Sequence, residues 1–192
     1  MTTKPLAKKL RHGYTTGACA AAASAGAVRM LLQQCSVDEV TIPLPAGFAA
    51  AFRLRGQLFS TDSAACCVVK DAGDDPDVTN GAEIRCSVCR DSEAAPGTVT
   101  LLAGTGIGHV TKPGLAVAPG QPAINPVPRA MITAAVLHEL QQAGVDAAMQ
   151  VTISIADGEE RASRTLNARL GIVGGLSILG TTGVVTPVSH QA

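Results

Sequence analysis

Aromatic side chains are nearly absent from this sequence, which has no tryptophan, one tyrosine and three phenylalanines among its 192 residues. Proteins that bind single-stranded nucleic acid stack bases on aromatic side chains. Basic and acidic residues are also balanced, at fifteen each, which leaves no excess of positive charge for phosphates. Nucleic acid is therefore not an expected partner, and the core must be built from small aliphatic residues that let backbones approach closely.

Long uninterrupted apolar runs are lacking too. A membrane-spanning helix needs about 20 predominantly apolar residues, and no apolar stretch of this sequence is long and charge-free enough to meet that requirement. The basic stretch Lys4, Lys8, Lys9 and Arg11, followed by alanines at 18–25, mimics a signal peptide, but a glycine-containing segment interrupts it. We therefore interpret the basic stretch as a solvated tail and expect a cytoplasmic protein with no membrane partner.

The cysteines lack the spacing of a metal site. Cys86 and Cys89 form an isolated C-x-x-C motif, whereas a structural zinc site needs four ligands. The motif lies in a strand-like alternating run, which would direct the two thiols to opposite faces. Cysteines of a cytosolic protein are reduced by default, so we expect free, mostly buried thiols and no metal bound by the protein.

Hydrophobic patterns predict a single domain over residues 1–192. The predicted helices run from a Thr15 or Thr16 cap to about residue 35, from about 128 to 143, and from 157 through 167. The predicted strands are 40–44, 48–59 with a turn or bulge near Gly56, 64–70, 82–90, 98–103 and 148–156. Most strands precede the later helices, which favours an α+β fold: a mixed sheet with helices mainly on one face and long Gly- and Pro-rich functional loops.

Four aspartates follow the strand at 64–70 within seven positions: Asp71, Asp74, Asp75 and Asp77. Aspartate, glycine, proline and asparagine are common turn residues, so a plain turn is one interpretation. Neighbouring carboxylates also repel one another, which raises the pKa of at least one of them and suits proton transfer. Cation binding and capping of backbone N–H groups are the alternatives. We take all four as candidate catalytic residues and favour Asp75.

The segment 104–114 is rich in glycine and follows a strand. Such a turn lets the backbone approach a ligand closely, which makes Gly104, Gly106 and Gly108 candidate cofactor-binding residues. The glycine spacing is not that of a dinucleotide site, and Pro113 blocks the helix that such a site requires. A nucleotide-binding enzyme is therefore the third-ranked alternative.

The segment 120–129 contains three prolines that stiffen the chain before a helix and place Asn125 and Arg129 at its start. A positive charge opposes the helix dipole there. Arg129 therefore either pairs with an acid, such as one of the four aspartates, or binds a ligand carboxylate. Together with Lys112, it is a candidate substrate anchor.

Five segments resemble, in order, the cobalt-precorrin-5B C1-methyltransferases (CbiD family). They are RHGYTTGACA at 11–20, KDAGDDPDVT at 70–79, VTKPGL at 110–115, PAINPVPR at 122–129 and GIVGGLSILGTTG at 171–183. The match extends from residue 11 to about 189. Asn80 departs from it, because the resemblance leads us to expect histidine there.

The resemblance implies transfer of a methyl group from S-adenosyl-L-methionine to ring carbon C1 of cobalt-precorrin-5B, giving cobalt-precorrin-6A in anaerobic cobalamin biosynthesis. The partner would be a cobalt-corrinoid intermediate that carries its own cobalt. The implied substrate-binding residues are Thr15, Thr16, Gly17, Lys112, Asn125 and Arg129.

The family continues into a further α/β domain. We therefore expect residues 1–192 to be its N-terminal, substrate-side domain, which folds alone without catalysing the reaction. The alternative is a non-catalytic tetrapyrrole-binding module. The sequence is compatible with a homo-oligomer.

Overall fold

The computed structural model describes residues 10–187. The tail residues Lys4, Lys8 and Lys9 lie outside the described residues. The helices are α1 (Thr16–Gln33), α2 (Pro126–Gln142), α3 (Gly158–Ala162) and α4 (Asn167–Leu170). The strands are β1 (Gly13–Tyr14), β2 (Glu39–Pro43), β3 (Ala49–Arg53), β4 (Arg55–Phe59), β5 (Ser63–Val69), β6 (Glu83–Arg90), β7 (Val99–Ala103), β8 (His109–Val110), β9 (Met149–Ser154), β10 (Ile172–Val173) and β11 (Val184–Val185).

A five-stranded mixed sheet in the order β4-β5-β6-β9-β7 forms the centre of the fold. Neighbouring strands are antiparallel except β7 and β9, which are parallel. Ile84, Cys86 and Val88 alternate along β6 and are buried in the core beneath α1, as the two-residue period of a strand predicts. The longer helices α1 and α2 pack on this face of the sheet. The α+β prediction, with helices mainly on one face of a mixed sheet, is confirmed.

The strand predicted at 48–59 is in fact two strands of different sheets. Strand β3 pairs with β2 in a separate hairpin, whereas β4 pairs with β5 at the edge of the central sheet. The chain passes from one sheet to the other at the buried Leu54. The irregularity expected near Gly56 is present, because the β4–β5 register shifts between Arg55 and Leu58. A continuous alternating pattern contains no signal for this change of partner.

Two predicted helices also have different bounds. The helix predicted from about 128 begins at Pro126, because proline is well tolerated in the first turn, where its missing N–H has no acceptor to satisfy. The helix predicted at 157–167 is replaced by α3 and α4, which are separated by a turn. Gly171, with φ 80°, ends α4 in the left-handed conformation.

The helices α1 and α2 run parallel, so their N-termini lie side by side. At that end, a Cβ atom on Gly17 would lie 2.8 Å from the ring of Pro128. Further along, Arg29 of α1 donates two hydrogen bonds, of 2.9 and 2.6 Å, to the carboxylate of Glu139 on α2. The small, buried residues of α1 allow this close approach.

The motif Cys86-x-x-Cys89 lies on β6 with Cys86 fully buried and Cys89 partly exposed. Burial raises the pKa of the Cys86 thiol to about 12, so the thiol is protonated at neutral pH. Among residues 10–187, no group of three or more potential ligand side chains is placed to hold a metal ion. None of the helices in this range is long and apolar enough to cross a membrane.

Candidate functional site

Three of the five motif segments close around one cavity of about 440 Å³. Its walls are the first turn of α1 with Thr15 and Thr16, the end of the acidic segment 77–79 with Lys70, and the stretch 165–180. We call this the motif cavity. It brings together residues that are far apart in the sequence, and its lining combines leucine side chains with polar residues from all three segments.

Lys70 is the least expected member of this cavity, because its side chain is only 1% exposed. It follows β5 directly, and its ammonium donates hydrogen bonds to the Asp77 carboxylate and, at 2.6 Å, to the Thr79 hydroxyl. Asp77 in turn accepts hydrogen bonds from the N–H and hydroxyl of Thr79, at 2.7 and 2.6 Å. A buried lysine is tolerated only when it is paired and hydrogen-bonded, and this loop supplies both conditions.

Asp77 is held as a carboxylate. Burial raises its pKa, but the hydrogen bonds from Lys70 and Thr79 outweigh that effect, so the pKa lies below the ordinary value for aspartate. Asp77 is the one acidic residue among the described residues that line the motif cavity. It therefore presents a fixed negative group to whatever occupies the cavity.

The other three aspartates lie outside the motif cavity. Asp71 forms a two-bond ion pair with Arg11, and Asp74 accepts a hydrogen bond from the Arg11 backbone N–H at 2.8 Å. The hydrogen bonds from Arg11 lower the pKa of Asp71. The pKa values of Asp71 and Asp77 are therefore lowered rather than raised, because each carboxylate has its own cation. Asp75 has no hydrogen-bond partner among residues 10–187.

The first turn of α1 supplies backbone donors beside the cavity. The Thr15 hydroxyl accepts from the Ala18 N–H at 3.2 Å, which makes Thr15 the N-cap. The Gly17 N–H donates to the Leu179 carbonyl at 2.9 Å. No acidic residue lies in this turn, so the positive end of the helix dipole is not offset by a neighbouring side chain.

The predicted anchors outside the cavity occupy separate positions. Lys112 is exposed, and its aliphatic chain packs on Gly171. Asn125 precedes α2 without a side-chain capping bond. Arg129 is half-buried and forms no ion pair within residues 10–187. The sequence raised the alternative that Arg129 pairs with the acidic loop. That pairing is not observed, because the aspartates of the loop pair with Arg11 and Lys70 instead.

Gly104, Gly106 and Gly108 lie where backbone segments touch. A Cβ atom on Gly104 would overlap the Ser154 hydroxyl, one on Gly106 the Ile155 carbonyl oxygen, and one on Gly108 would lie 2.9 Å from the carbonyl oxygen of Gly175. Their small size thus lets β9 and the stretch that follows α4 approach the loop. In this way the loop supports the wall of the motif cavity at 175–177.

Sequence reasoning missed Lys70 and Arg161. Lys70 ends a β-like run, where a lysine is typical of an exposed strand end. Arg161 lies in a charged stretch of α3 with no distinctive pattern, yet its guanidinium donates to the carbonyl oxygens of Val78 and Asn80, at 2.6 and 3.0 Å. It also pairs with Asp157 at 2.7 Å. Arg161 thereby ties the acidic loop to the helix behind it.

Replacing Arg161 by alanine is expected to lower the free energy of unfolding by about 1–3 kcal/mol, the typical cost of losing hydrogen bonds to a charged group. Urea unfolding measures this loss, and faster amide hydrogen exchange at 77–80 would localise it to the acidic loop. The matched control is Arg164→Ala, because Arg164 follows the end of α3 and forms an exposed pair with Glu160, so the change should alter stability by less than about 0.5 kcal/mol. Equal losses of unfolding free energy in the two variants would contradict the conclusion that Arg161 holds the acidic loop against α3.

A second cavity, of about 730 Å³, extends along most of the length of α2. It runs between the outer face of α2 and the end of β2, and Leu44, Val127 and Met131 contribute to its mainly apolar walls. Gly183 packs on Leu44, whereas Gly180 packs on Thr15 of the motif cavity. The segment 179–183 therefore extends from the lining of the motif cavity to Leu44, which lines the second cavity. We call the larger one the apolar groove.

An α+β domain with ligand-sized cavities closed by glycine-rich loops has the architecture of a small-molecule-binding protein. Comparison with known proteins is more specific: the chain belongs to the CbiD family, whose model matches residues 3–187. The cobalt-precorrin-5B C(1)-methyltransferase of Geobacter metallireducens is 59% identical over 100% of this chain and 52% of its own length. That of Geobacter sulfurreducens is 60% identical over 96% of this chain and 52% of its own length.

A solved structure shares the fold. The crystal structure of a cobalamin biosynthesis protein (CbiD) from Archaeoglobus fulgidus matches with a TM-score of 0.70 and 31% identity, over 94% of this chain and 56% of that one. This chain thus spans about half the length of the relatives it matches.

Proposed function

We propose that this chain takes part, as a substrate-side domain, in methylation of ring carbon C1 of cobalt-precorrin-5B, with S-adenosyl-L-methionine as the methyl donor. The product is cobalt-precorrin-6A, and the cobalt is carried by the substrate. The observation that carries the proposal is the convergence of three family motif segments on the motif cavity. The names of relatives about 60% identical to this chain support the same reaction.

The motif cavity fits a ligand with an apolar body and a charged end. Its volume, about 440 Å³, falls within the range of roughly 300–1,000 Å³ that small-molecule sites occupy. Thr16, Asp77 and Thr79 contribute polar groups to its lining, and four leucine side chains of the stretch 165–180 contribute apolar surface. When bound, S-adenosylmethionine supplies an electrophilic methyl group on a cationic sulfur. The fixed carboxylate of Asp77 suits a cationic ligand of this kind.

Asp77 has two roles open to it at this position. As a carboxylate held by Lys70 and Thr79, it stabilises positive charge without reorganising, which is how fixed dipoles and charges assist a reaction. It can also accept the proton that the ring loses, provided that the ring carbon lies within hydrogen-bond reach or one water away. Asp71, Asp74 and Asp75 remain candidate catalytic residues, because they belong to the same loop. Asp75 is the residue whose substitution is compared directly with that of Asp77.

The apolar groove suits the flat macrocycle. Its apolar walls would cover a ring face, and the segment 179–183 connects it with the motif cavity, because Gly183 packs on Leu44 of the groove and Gly180 on Thr15 of the cavity. Lys112 and Arg129 lie outside both sets of lining residues and are proposed to bind the acetate and propionate groups at the ring edge, together with Asn125. Arg129 grips a carboxylate with two parallel bonds, whereas Lys112 offers a point charge.

Separate titrations test the proposal. Isothermal titration calorimetry of the purified chain with S-adenosylmethionine and with a cobalt-corrinoid should show binding of both, whereas mass spectrometry of a mixture with cobalt-precorrin-5B should detect no methylated product from this chain alone. Asp77→Asn should weaken S-adenosylmethionine binding about tenfold, because a charge-assisted contact is lost. Asp75→Asn is the matched comparison in the same loop. An unchanged affinity in Asp77→Asn would remove that residue from the site.

The alternative, a non-catalytic tetrapyrrole-binding module, predicts corrinoid binding without binding of S-adenosylmethionine. The two titrations therefore separate the candidates. Binding of ATP or NAD in their place would favour the nucleotide-binding alternative, with Gly104, Gly106 and Gly108 as the contacts. Absence of binding to either the corrinoid or S-adenosylmethionine would refute the proposed function.

A further inference from the structure

We propose that Thr16, with the first turn of α1, forms a binding site for one carboxylate group in the motif cavity. The site has two donors on one residue, the backbone N–H and the side-chain hydroxyl of Thr16. Where this carboxylate comes from rests on the proposed function, but the subsite itself does not. No acidic or amide group of the described residues occupies it.

The first observation is that both Thr16 donors are unused. Thr16 is only 6% exposed, yet neither its N–H nor its hydroxyl has a hydrogen-bond partner among residues 10–187. Its two neighbours in the turn are satisfied, since the Gly17 N–H donates to Leu179 and the Ala18 N–H to Thr15. The N–H of a first helical residue has no partner within its own helix, and the hydroxyl of Thr16 has none either, so both donors are open to a ligand.

The second observation is that the Thr16 hydroxyl opens into the cavity. Thr16 lines the motif cavity. Within the described residues, no fully buried side-chain nitrogen or oxygen lacks a partner, so the unpaired hydroxyl oxygen of Thr16 must be accessible. The surrounding structure leaves the cavity as the side from which an acceptor reaches it.

The sign of the preferred ligand follows from the surroundings of Thr16. Helix α1 is 18 residues long with no acid in its first turn, so its N-terminus carries an uncompensated partial positive charge. The N-terminus of α2 lies alongside and also lacks an acid in its first turn. Asp77, the acid of the cavity, is already paired with Lys70. An anionic acceptor is therefore favoured at Thr16 over a neutral one.

A carboxylate matches this geometry because its two oxygens can accept from two donors that lie on one residue. Two sources supply such a group: the amino-acid end of S-adenosylmethionine, and an acetate or propionate arm of the corrinoid ring. Both sources offer the same carboxylate group to Thr16, and they differ only in the rest of the ligand.

The first arm of the test uses the carboxylate alone. In ¹⁵N-labelled chain, titration with sodium acetate should shift the Thr16 amide resonance in a saturable way, while acetamide, of the same size but neutral, should not. Absence of a saturable shift with acetate, or an equal shift with acetamide, would overturn the subsite. This arm does not depend on the proposed function.

The second arm finds the source with Thr16→Val, which removes the hydroxyl and keeps the shape. One probe pair is S-adenosylmethionine and its decarboxylated form; the other is dicyanocobyrinic acid and its methyl ester. Affinity for the carboxylate-bearing member of one pair should fall about tenfold or more in Thr16→Val, with the carboxylate-free member unaffected, and Thr16→Ser should restore it. Loss of the same size for both members of each pair would refute the subsite.

Thr100→Val is the matched control. Thr100 lies on β7, outside the lining of both cavities, so the same substitution there should leave the probe affinities within twofold of the unmodified chain. A response to acetate without binding of either larger probe would uphold the subsite and refute the proposed function. Binding of the probes with unchanged affinity in Thr16→Val would refute the subsite and leave the proposed function standing.

Discussion

Replacing Lys70 by methionine is expected to lower the free energy of unfolding by about 3–5 kcal/mol, the cost typical of removing one member of a buried ion pair. Methionine approximates the length of the side chain but donates no hydrogen bond. Asp77, whose side chain is 26% exposed, would lose its cation, and the Thr79 hydroxyl would lose a donor. Chemical denaturation with linear extrapolation measures the change.

A double-mutant cycle separates the pair from the shape of the site. Asp77→Asn alone leaves the buried ammonium of Lys70 without its anion and should also be strongly destabilising. The double variant Lys70→Met with Asp77→Asn removes both charges, so it should be more stable than the sum of the single losses predicts, with a coupling of about 1–3 kcal/mol. Strict additivity would mean that Lys70 and Asp77 do not stabilise each other.

The same pair predicts a pH dependence. The pKa of Asp77 is lower in the folded chain than the ordinary value, so the unfolded chain binds the proton more readily. The resulting stability is present above about pH 4, near the ordinary aspartate pKa, and is lost as the pH falls through the folded pKa. Thermal melts from pH 6 downward should show this loss in the unmodified chain and a smaller one in Lys70→Met.

Much of the fold was predictable because its signals are local. The alanine run of α1 and the alternation along β6 each show their buried face within a few residues, and both predictions were right. The change of sheet at Leu54 was not predictable, because the alternation at 48–59 continues through it. Which strand a segment pairs with depends on tertiary contacts that the period of two does not contain.

The candidate site was predicted unevenly for a similar reason. Thr15 and Thr16 were named through the family resemblance and Asp77 through the cluster of four aspartates, and the three lie together in the structure. Lys70 was missed because its burial depends on the loop at 77–79 folding back over it. In the glycine-rich loop, ligand binding and close backbone packing require the same residue, so the pattern at 104–108 could not distinguish them.

Gly106→Ala is expected to destabilise the chain by more than about 4 kcal/mol, which places it among the exceptional single substitutions. Gly106 has φ 72°, a conformation that costs an L-residue about 1–2 kcal/mol. An added Cβ would also overlap the carbonyl oxygen of Ile155 and lie 3.0 Å from Gly158. These are backbone atoms, so no side chain can rotate away to relieve the overlap. A lower melting temperature and a lower urea midpoint measure the loss.

Gly120→Ala is the matched control, since Gly120 has φ 86° with nothing within 4 Å of an added Cβ. It should cost only the conformational part, about 1–2 kcal/mol, and the difference between the two variants gives the packing part at Gly106. Equal losses would show that Gly106 is required only for its φ angle. A cofactor contact at Gly106 predicts another result: weaker S-adenosylmethionine binding in Gly106→Ala with nearly unchanged stability. Measuring both quantities on one protein therefore distinguishes a glycine that packs from a glycine that binds.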